Sequence, residues 1–177
     1  MALMYGDPKV ALAHFQQAAA LDPNYITNFT VLQEGVWTYV GRANYATGNL
    51  PEARKALEQA RSRNERDYLS RLYLGLVLAR QGEREGGSKQ VEAGLKGLEE
   101  SLDFVERYTH VGRYWDPGKK IQGEIQKNLA MISGREFDWQ ELTQNVEWIG
   151  KEVEQEIDLA RRDEREDRLR ESAGREP

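Results

Sequence analysis

Large apolar and small residues recur along the first hundred positions in a pattern that predicts paired helices. Between residues 37 and 60, large side chains such as Trp37 and Leu57 recur at helical spacing together with small residues such as Gly41, and Gly48-Asn49 divides the segment. Pro51 then falls in the expected first turn of a second helix, where its missing N–H is not needed. Small residues let two helices approach closely while large ones fill the gaps. The segment is therefore predicted to form an antiparallel helix pair.

The same pattern returns once more along the chain at a constant offset. Adding 34 to Gly41 gives Gly75, and adding 34 to Gly48 gives Gly82. In the second helix the shift preserves the small-large-small order, with Ala53, Leu57 and Ala60 replaced by Gly87, Val91 and Gly94. Each glycine lowers helix propensity by about 1 kcal/mol relative to alanine. We therefore expect this helix to be weaker than its counterpart and to begin near residues 83–88.

An incomplete unit precedes these two. Ala11-x3-Phe15 and the closing Leu21-Asp22-Pro23 match the second helix of another unit, whose first helix is missing. Ala53 is the counterpart of Ala11, but the interval between them exceeds the period by eight positions. Eight positions correspond to about two helical turns. We therefore expect the first helix of the middle unit to be unusually long, spanning roughly Tyr25–Ala46.

These residues resemble a known repeat. The segment Trp37-Thr38-Tyr39-Val40-Gly41, followed by Tyr45, Ala53 and Leu57, is similar to the tetratricopeptide (TPR) signature Trp-x2-Leu-Gly-x2-Tyr and Ala-x3-Phe, although Tyr45 lies one place late. The resemblance covers about residues 9–98 as a degenerate array. It implies an all-α fold in which TPR-like antiparallel helix pairs form a short right-handed superhelix with added C-terminal helices. A generic helical bundle that matches by chance is the alternative.

Two further helices are predicted after the repeats. Tyr114-Trp115-Asp116-Pro117 indicates a loop that leads into a helix, with Asp116 as its cap, and Gly134 is expected to end that helix. A strong start signal follows, because Asp138 and Glu141 form a capping box and Phe137 and Leu142 are spaced for a hydrophobic staple. The second helix carries an apolar stripe at alternating spacings of four and three, extended by Trp139 and Ile157: Leu142, Val146, Ile149 and Val153.

The stripe ends near Ala160, and from Arg161 onward nearly every residue is Arg, Asp or Glu. Opposite charges four residues apart, such as Glu166 and Arg170, favour a solvated helix that frays into disorder before Ser172-Ala173-Gly174. We therefore divide the chain into a TPR-like repeat region at 1–112, C-terminal helices that pack on or cap it at 113–160, and a charged helical or disordered tail at 161–177.

Composition and charge exclude several classes of function. The chain has 177 residues, 30 acidic and 25 basic side chains, a net charge of −5 and no cysteine. The balance of charges argues against nucleic acid as a partner, since phosphate neutralisation needs a basic face. No segment approaches the roughly 20 apolar residues of a membrane span, so we expect a soluble protein. Residues 1–8 lack the features of a signal peptide. The sequence as given therefore favours the cytoplasm, while an upstream signal segment would instead predict a periplasmic or exported protein.

Catalytic motifs are missing from the sequence. His14 and His110 belong to different units and have no nucleophile or metal-ligand spacing around them, which favours surface or packing roles. Gly86-Gly87-Ser88 lacks the strand and the lysine of a phosphate-binding loop. We therefore predict that the protein is not an enzyme and that it has no cofactor and no metal.

The TPR resemblance implies a partner-binding groove. In that family the first helices of successive units line a concave face that receives a peptide or a partner helix. Carried onto this chain, that face comprises ten residues, which we call the groove set: Thr38, Tyr39, Arg42, Tyr45, Ala46, Leu69, Leu72, Tyr73, Leu76 and Arg80. Family members that bind the C-terminal carboxylates of chaperones carry Lys, Arg and Asn where this chain has several apolar and aromatic residues. An apolar or aromatic segment is therefore the expected partner.

The segment Leu72–Ala79 is apolar on all sides, so we expect something to cover it. The cover is predicted to be the stripe of the C-terminal helix, a second copy of the chain or a foreign partner, with the stripe favoured because a short array needs a capped end. The leading hypothesis is a protein-interaction scaffold of bacterial style. The alternative is a structural or oligomerisation module that forms a homodimer through the incomplete N-terminal repeat or the C-terminal helix.

Overall fold

The fold is described by a computed structural model that covers residues 6–29, 31–109, 115–116, 118–134 and 137–173. Within those ranges the chain forms seven helices and one two-stranded antiparallel sheet, so the predicted all-α class is confirmed. In chain order the elements are α1 Pro8–Leu21, β1 Ile26–Phe29, β2 Leu32–Gly35, α2 Val36–Ala46, α3 Leu50–Arg63, α4 Tyr68–Arg80, α5 Arg84–Tyr108, α6 Lys120–Ser133 and α7 Trp139–Ala173.

The prediction of one long helix over Tyr25–Ala46 is wrong. The inserted residues form the hairpin β1–β2, in which Ile26 pairs with Gly35 and Phe29 pairs with Leu32, and α2 begins only at Val36. β-branched and aromatic side chains favour extended backbone. In addition, Gly35 has the extended backbone of a helix N-cap, with φ −84° and ψ 155°, so the helix cannot continue backward through it. The insertion therefore changes secondary structure instead of adding two turns to α2.

The two helix pairs make the same close contacts at positions one repeat apart. A Cβ atom on Gly41 of α2 would lie 2.5 Å from Leu57 of α3, and one on Gly75 of α4 would lie 2.6 Å from Val91 of α5. Such distances leave no room for a side chain, so glycine is what allows each pair to pack this closely. The turns that follow α2 and α4 are also equivalent, since Gly48 has φ +79° and Gly82 has φ +93°.

The beginnings of α3 and α5 agree with the sequence. α3 begins at Leu50 with Pro51 in its first turn, and α5 begins at Arg84, within the predicted window. α5 extends over 25 residues to Tyr108 and so runs beyond the repeat match. Its buried residues continue in helical spacing through Leu98, Leu102 and Val105, which packs the added turns onto the same core.

Asp116 caps α6, although from further away than the sequence predicts. α6 begins at Lys120, and the Asp116 carboxylate accepts hydrogen bonds from the backbone N–H groups of Lys120, Ile121 and Gln122 at 2.8, 3.0 and 3.1 Å. The cap position itself belongs to Lys119, with φ +50°. α6 ends at Ser133 with Gly134 as C-cap, as predicted. Tyr114 and Pro117 lie outside the described residues, as does His110.

α7 begins as predicted and runs from Trp139 to Ala173. The Asp138 carboxylate accepts a hydrogen bond from the Gln140 N–H at 2.7 Å, which caps the helix. The charged segment after Arg161 continues this helix through Ala173, so the prediction that it frays before Ser172 is wrong. Opposite charges spaced four residues apart, such as Glu166 and Arg170, support the added turns. Across the described residues, none of the helices combines the length and the apolar character that crossing a lipid bilayer requires.

Two groups of buried side chains hold the elements together. The larger joins residues of α3 to α7 and includes the α4 residues Leu69, Leu76 and Val77. The smaller fastens α1 to α2 and α3 through Ala19, Val40 and Ala56, with Phe15 and Trp37 packed against it. The Trp37 indole N–H also donates to the Pro23 carbonyl at 2.9 Å. α1 is thus attached mainly to the first helix pair.

Candidate functional site on the face of α2 and α4

Most of the groove set is hidden from solvent. Ala46 and Arg80 are exposed and Tyr39 is partly buried. The remaining seven are buried: Thr38, Arg42, Tyr45, Leu69, Leu72, Tyr73 and Leu76. A face left open to a partner would not be this deeply buried, so another part of the chain covers it.

The cover is α7. Its stripe residues Leu142, Val146, Ile149 and Val153 are each 0% exposed and belong to the same buried cluster as Leu69 and Leu76. α7 also approaches α4 closely at Gly150, where a Cβ atom would lie 2.9 Å from the Tyr73 hydroxyl and 3.0 Å from its ring. The amphipathic C-terminal helix therefore lies on the face that the sequence assigns to a partner. We call this covered surface, formed by the groove set on α2 and α4, the groove face.

A buried ion-pair cluster joins three elements at the centre of this contact. The Arg42 guanidinium of α2 donates through Nη1 to Glu34 Oε1 of β2 at 2.8 Å and to Glu154 Oε1 of α7. Arg42 also lies over the Tyr73 ring, with its Cζ atom 4.6 Å from the ring centroid. Burial excludes water from these charges, so their mutual orientation is fixed by the protein. The cluster therefore sets the position of α7 along the groove face.

A second polar contact lies one heptad earlier on α7. The Tyr45 hydroxyl donates to Glu147 Oε1 at 2.6 Å, and Arg80 lies 4.1 Å above the Tyr45 ring centroid and 3.4 Å from the same carboxylate oxygen. Burial and this hydrogen bond raise the pKa of Tyr45 above its ordinary value, so the hydroxyl stays protonated and acts as the donor. Tyr45 also meets Tyr73 edge to face, with ring centroids 5.6 Å apart.

Asp67 is buried where the hairpin, α2 and α4 meet, and it accepts hydrogen bonds from all three. Its carboxylate accepts hydrogen bonds from the Gly35 N–H at 2.8 Å, the Thr38 hydroxyl at 2.6 Å and the Ser70 N–H at 3.0 Å. Burial raises the pKa of Asp67 to about 6, against the lowering effect of these three donors. Thr38 is thus engaged inside the fold and is not available to a partner.

Glu34 is the most strongly perturbed carboxyl group of the cluster. Burial raises its pKa to about 8; Arg42 opposes this shift, and the nearby Glu154 and Asp67 add to it. At neutral pH Glu34 is therefore mostly protonated, chiefly because burial disfavours its charged form. Burial and the neighbouring Glu34 also raise the pKa of Tyr39, which keeps that phenol neutral.

The predicted set and the observed contacts overlap only in part. Leu72 packs against α5, since a Cβ atom on Gly94 of that helix would lie 2.7 Å from it. Five residues that contact the groove set escaped the prediction: Glu34, Asp67, Glu147, Gly150 and Glu154. The sequence held a signal for two of them. Glu147 and Glu154 each follow a stripe residue and are seven positions, or two turns, apart, which places both on one face of the helix beside the stripe. Glu34 gave none, since its segment was assigned to a helix.

Part of the groove face stays open beside α7. A cleft of about 360 Å³ is lined by Arg42, Tyr45, Ala46, Tyr73, Arg80, Glu147 and Lys151, the first five of which belong to the groove set. A neighbouring cleft of about 560 Å³ shares Arg80 and Glu147 and adds Arg84 and Trp139. The open part therefore combines cationic and aromatic side chains with the carboxylate of Glu147.

The site has no catalytic arrangement that we can assign. His14 lies exposed on α1. Within the ranges that the structure covers, no three His, Cys, Asp or Glu side chains come together in a way that could hold a metal ion. The described contacts of the groove face are apolar helix packing, ion pairs and hydrogen bonds.

Comparison with known proteins adds no assignment. No family model, no curated protein and no solved structure matches this chain.

Proposed function

We propose that this chain is a protein-interaction scaffold of the TPR type, without catalysis, whose groove face binds an α-helix of a partner protein. The observation that carries the proposal is α7 itself, since the chain already holds an amphipathic helix on this face through Arg42 and Tyr45. A surface that holds one such helix in a defined register has the chemistry to hold another. In the free chain α7 would then occupy the site.

Equivalent contacts support the TPR part of the proposal. Gly41 and Gly75 lie one repeat period apart, and so do Leu57 and Val91, the residues that they meet. The left-handed turn glycines Gly48 and Gly82 follow at the same interval. A chance helical bundle would not need to repeat both features at the period of this family. Bacterial origin stays a prediction of the sequence.

The contacts of α7 define the chemistry of the partner helix. It would carry apolar residues in place of Val146, Ile149 and Val153, and acidic residues seven positions apart in place of Glu147 and Glu154. A small residue is needed at the position of Gly150, because Tyr73 fills the space beyond it. The partner is therefore an acidic amphipathic helix with a small residue at its centre.

The second candidate is an oligomerisation module, and the same contacts favour it. If the connection between α6 and α7 lets the helix swing away, α7 of a second copy can make identical contacts with Arg42 and Tyr45. The two candidates differ in solution mass: a scaffold stays monomeric when its groove face is opened, and an exchanging module dimerises.

The test opens the groove face in the full-length chain. Gly150→Leu places a side chain against Tyr73 and is expected to displace α7, whereas Gly123→Leu on α6 has nothing within 4 Å and serves as the matched control. Loss of amide protection in α7 verifies the displacement. A fluorescent peptide of residues 138–160 is expected to bind Gly150→Leu and to bind the wild type and Gly123→Leu at least tenfold more weakly, since their own α7 competes.

A second peptide tests whether binding depends on the ion pairs. Changing its Glu147 and Glu154 to Lys places cations against Arg42 and Arg80, so binding to Gly150→Leu should fall at least tenfold. Equal binding of the two peptides would refute the proposal that the groove face binds a helix through these ion pairs. The same holds if a Gly150→Leu chain that has lost amide protection in α7, but keeps its other helices, binds neither peptide. Light scattering on Gly150→Leu separates the candidates, because a concentration-dependent dimer favours oligomerisation.

A further inference from the structure

α7 packs against α6 as well as against the groove face. The α6 residues Ile121, Ile125 and Ile132 are buried in the same cluster as the stripe residues of α7, and α6 packs against both α5 and α7. Their spacings of four and seven positions place these residues on a single face of α6. The helix that lies on the groove face is therefore in contact with three helices: α2, α4 and α6.

The buried face of α6 also contains a polar side chain, Asn128, which is 0% exposed. Its Nδ2 donates to the Glu124 carbonyl oxygen at 2.7 Å, and its Oδ1 accepts from Asn145 Nδ2 of α7 at 3.1 Å. A backbone carbonyl can only accept, so the Asn128 amide has its Nδ2 toward Glu124 and its Oδ1 toward α7. α6 therefore presents a buried acceptor to the helix on the groove face.

We propose that α6 is part of the helix-binding site and that Asn128 selects partner helices by requiring a hydrogen-bond donor at the position of Asn145. The inference rests on the proposed function and names a specificity determinant for it. A buried acceptor left without a donor is strongly unfavourable, so a helix with an apolar or acidic residue at this position is rejected. The selected helix carries its donor two positions before the residue that replaces Glu147 and five before the one that replaces Gly150.

α6 has contacts with α5 that do not depend on α7. Gln122 Nε2 donates to Glu106 Oε2 at 3.2 Å, and Lys119, just before α6, pairs with Oε1 of the same carboxyl group at 2.9 Å. The buried isoleucines of α6 belong to the cluster that also contains Leu98 and Leu102 of α5. α6 can therefore keep its place when α7 leaves the groove face.

A second polar contact between α6 and α7 is exposed. Lys127 Nζ lies 3.5 Å from Glu141 Oε1, and both side chains are about half exposed. Solvent screening makes such a pair worth little, so Asn128 is the contact that can discriminate between helices.

The first measurement asks whether α6 stays in place when the groove face is open. In the full-length Gly150→Leu chain, amide protection should be lost in α7 and kept in α6. Loss of protection in α6 together with α7, while α2 to α5 stay protected, would overturn the proposal, because the two helices would then leave together.

Peptide binding to this chain then tests the donor. The peptide of residues 138–160 is compared with two of its variants, Asn145→Leu and Gln144→Leu, which both replace an amide by an apolar side chain without lowering helix propensity. Asn145→Leu removes the donor to Asn128 and should weaken binding about five- to hundredfold. Gln144 is exposed on α7, so its replacement should change binding less than about threefold.

Removing the acceptor should reverse the preference. When Asn128→Leu is added to the Gly150→Leu chain, no buried oxygen needs a donor, and replacing both polar partners by apolar groups is nearly neutral. The Asn145→Leu peptide should then bind at least as tightly as the unchanged peptide. If both peptides instead lose the same factor, Asn128 has a structural role and does not select. Should the Asn128→Leu chain fail to fold, the comparison of the Asn145→Leu and Gln144→Leu peptides decides alone.

Two negative results have different meanings. If the unchanged peptide binds and its Asn145→Leu and Gln144→Leu variants bind equally well, the groove face binds helices and selection by Asn128 is refuted. If none of the three peptides binds the open chain, the proposed function fails, and selection by Asn128 fails with it.

Discussion

α4 packs against two helices in two different ways. Against α5 the contact depends on glycine, since a Cβ atom on Gly75 would lie 2.6 Å from the Gly87 carbonyl oxygen. Against α7 the contact combines an apolar stripe with Tyr73 at Gly150 and Arg80 at Glu147. The neighbouring α2 adds polar contacts to the same helix, from Arg42 to Glu154 and from Tyr45 to Glu147. Close backbone packing allows one geometry and no substitute. Charged contacts define a register that another helix with the same charges can adopt, which is why we propose that the α7 contact is the one that exchanges.

The difference also has an energetic side. Burying charges removes them from water, so a buried ion pair stabilises a fold less than apolar packing of the same volume, while breaking it by removing one partner is strongly destabilising. The apolar stripe of α7 therefore supplies most of the attraction to the groove face, and the Arg42 cluster supplies its specificity. The apolar stripe and the Arg42 cluster can each be removed by a separate change to the chain.

Removing α7 should have the largest effect. Deletion of residues 136–177 exposes the buried groove residues Leu69, Tyr73 and Leu76, and apolar surface of this kind drives association. We expect light scattering to show dimers or aggregates whose mass rises with concentration. Deletion of residues 162–177 alone keeps the stripe and Arg161 and is the control. A chain without residues 136–177 that stays monomeric with unchanged stability would contradict the role of α7 as cover.

Breaking the ion-pair cluster should have the next largest effect. Arg42→Ala leaves Glu34 and Glu154 without their guanidinium, so the free energy of unfolding should fall by about 3–5 kcal/mol in urea titrations. Arg54→Ala on α3 removes an exposed pair with Glu58 and should lower it by less than about 1 kcal/mol. Similar losses in the two variants would mean that the cluster is solvated.

The sequence was sufficient for the helix pairs because their signals are local. Gly41 and Gly75 mark close packing, while Gly48 and Gly82 mark turns, at an interval that the chain repeats. The hairpin was missed because its eight inserted residues, around Ile26 and Thr27, were counted as helical turns by extension from their neighbours. β-branched residues at this point were a signal for extended backbone that helical periodicity overrode.

The sequence indicated where the groove face lies and favoured α7 as its cover, but it did not predict the ion pairs between them. The TPR resemblance placed Tyr73 and Leu76 on one face, and the periodicity of α7 gave its apolar stripe. Their burial in one cluster follows from both surfaces being apolar. The pairing of Arg42 with Glu34 and Glu154 depends on where the hairpin and α7 lie in space. Arg42 and Glu154 are so distant along the chain that no local pattern joins them, so this part needed the structure.

A substitution at the glycine contact tests the other half of the comparison. Gly75→Ala forces a methyl group into the Gly87 backbone and Val91, and overpacking of this kind lowers the free energy of unfolding by about 1–3 kcal/mol. Gly123→Ala, which has open space around it, should raise it by up to about 1 kcal/mol through helix propensity. Thermal or urea unfolding measures both. A Gly75→Ala chain as stable as Gly123→Ala would show that the α4–α5 contact can adjust.

The last effect, which is spread over several pH units, is the pH dependence that the cluster imposes. Burial raises the pKa of Glu34 from 4.5 to about 8 in the folded chain, with Arg42 opposing the shift and Glu154 and Asp67 adding to it. The folded state therefore binds more protons than the unfolded state between these values, so the stability from this group falls as pH rises from about 4.5 to 8. The slope is at most about 1.4 kcal/mol per pH unit. Glu34→Gln keeps an acceptor for Arg42 and cannot titrate. The free energies of unfolding of the wild type and of this variant are measured in urea at pH 5, 6, 7 and 8. Their difference at each pH gives the contribution of Glu34 titration to stability. A difference that stays flat or rises with pH would show that Glu34 is ionised in the folded chain, and that the cluster holds α7 through a full set of charges.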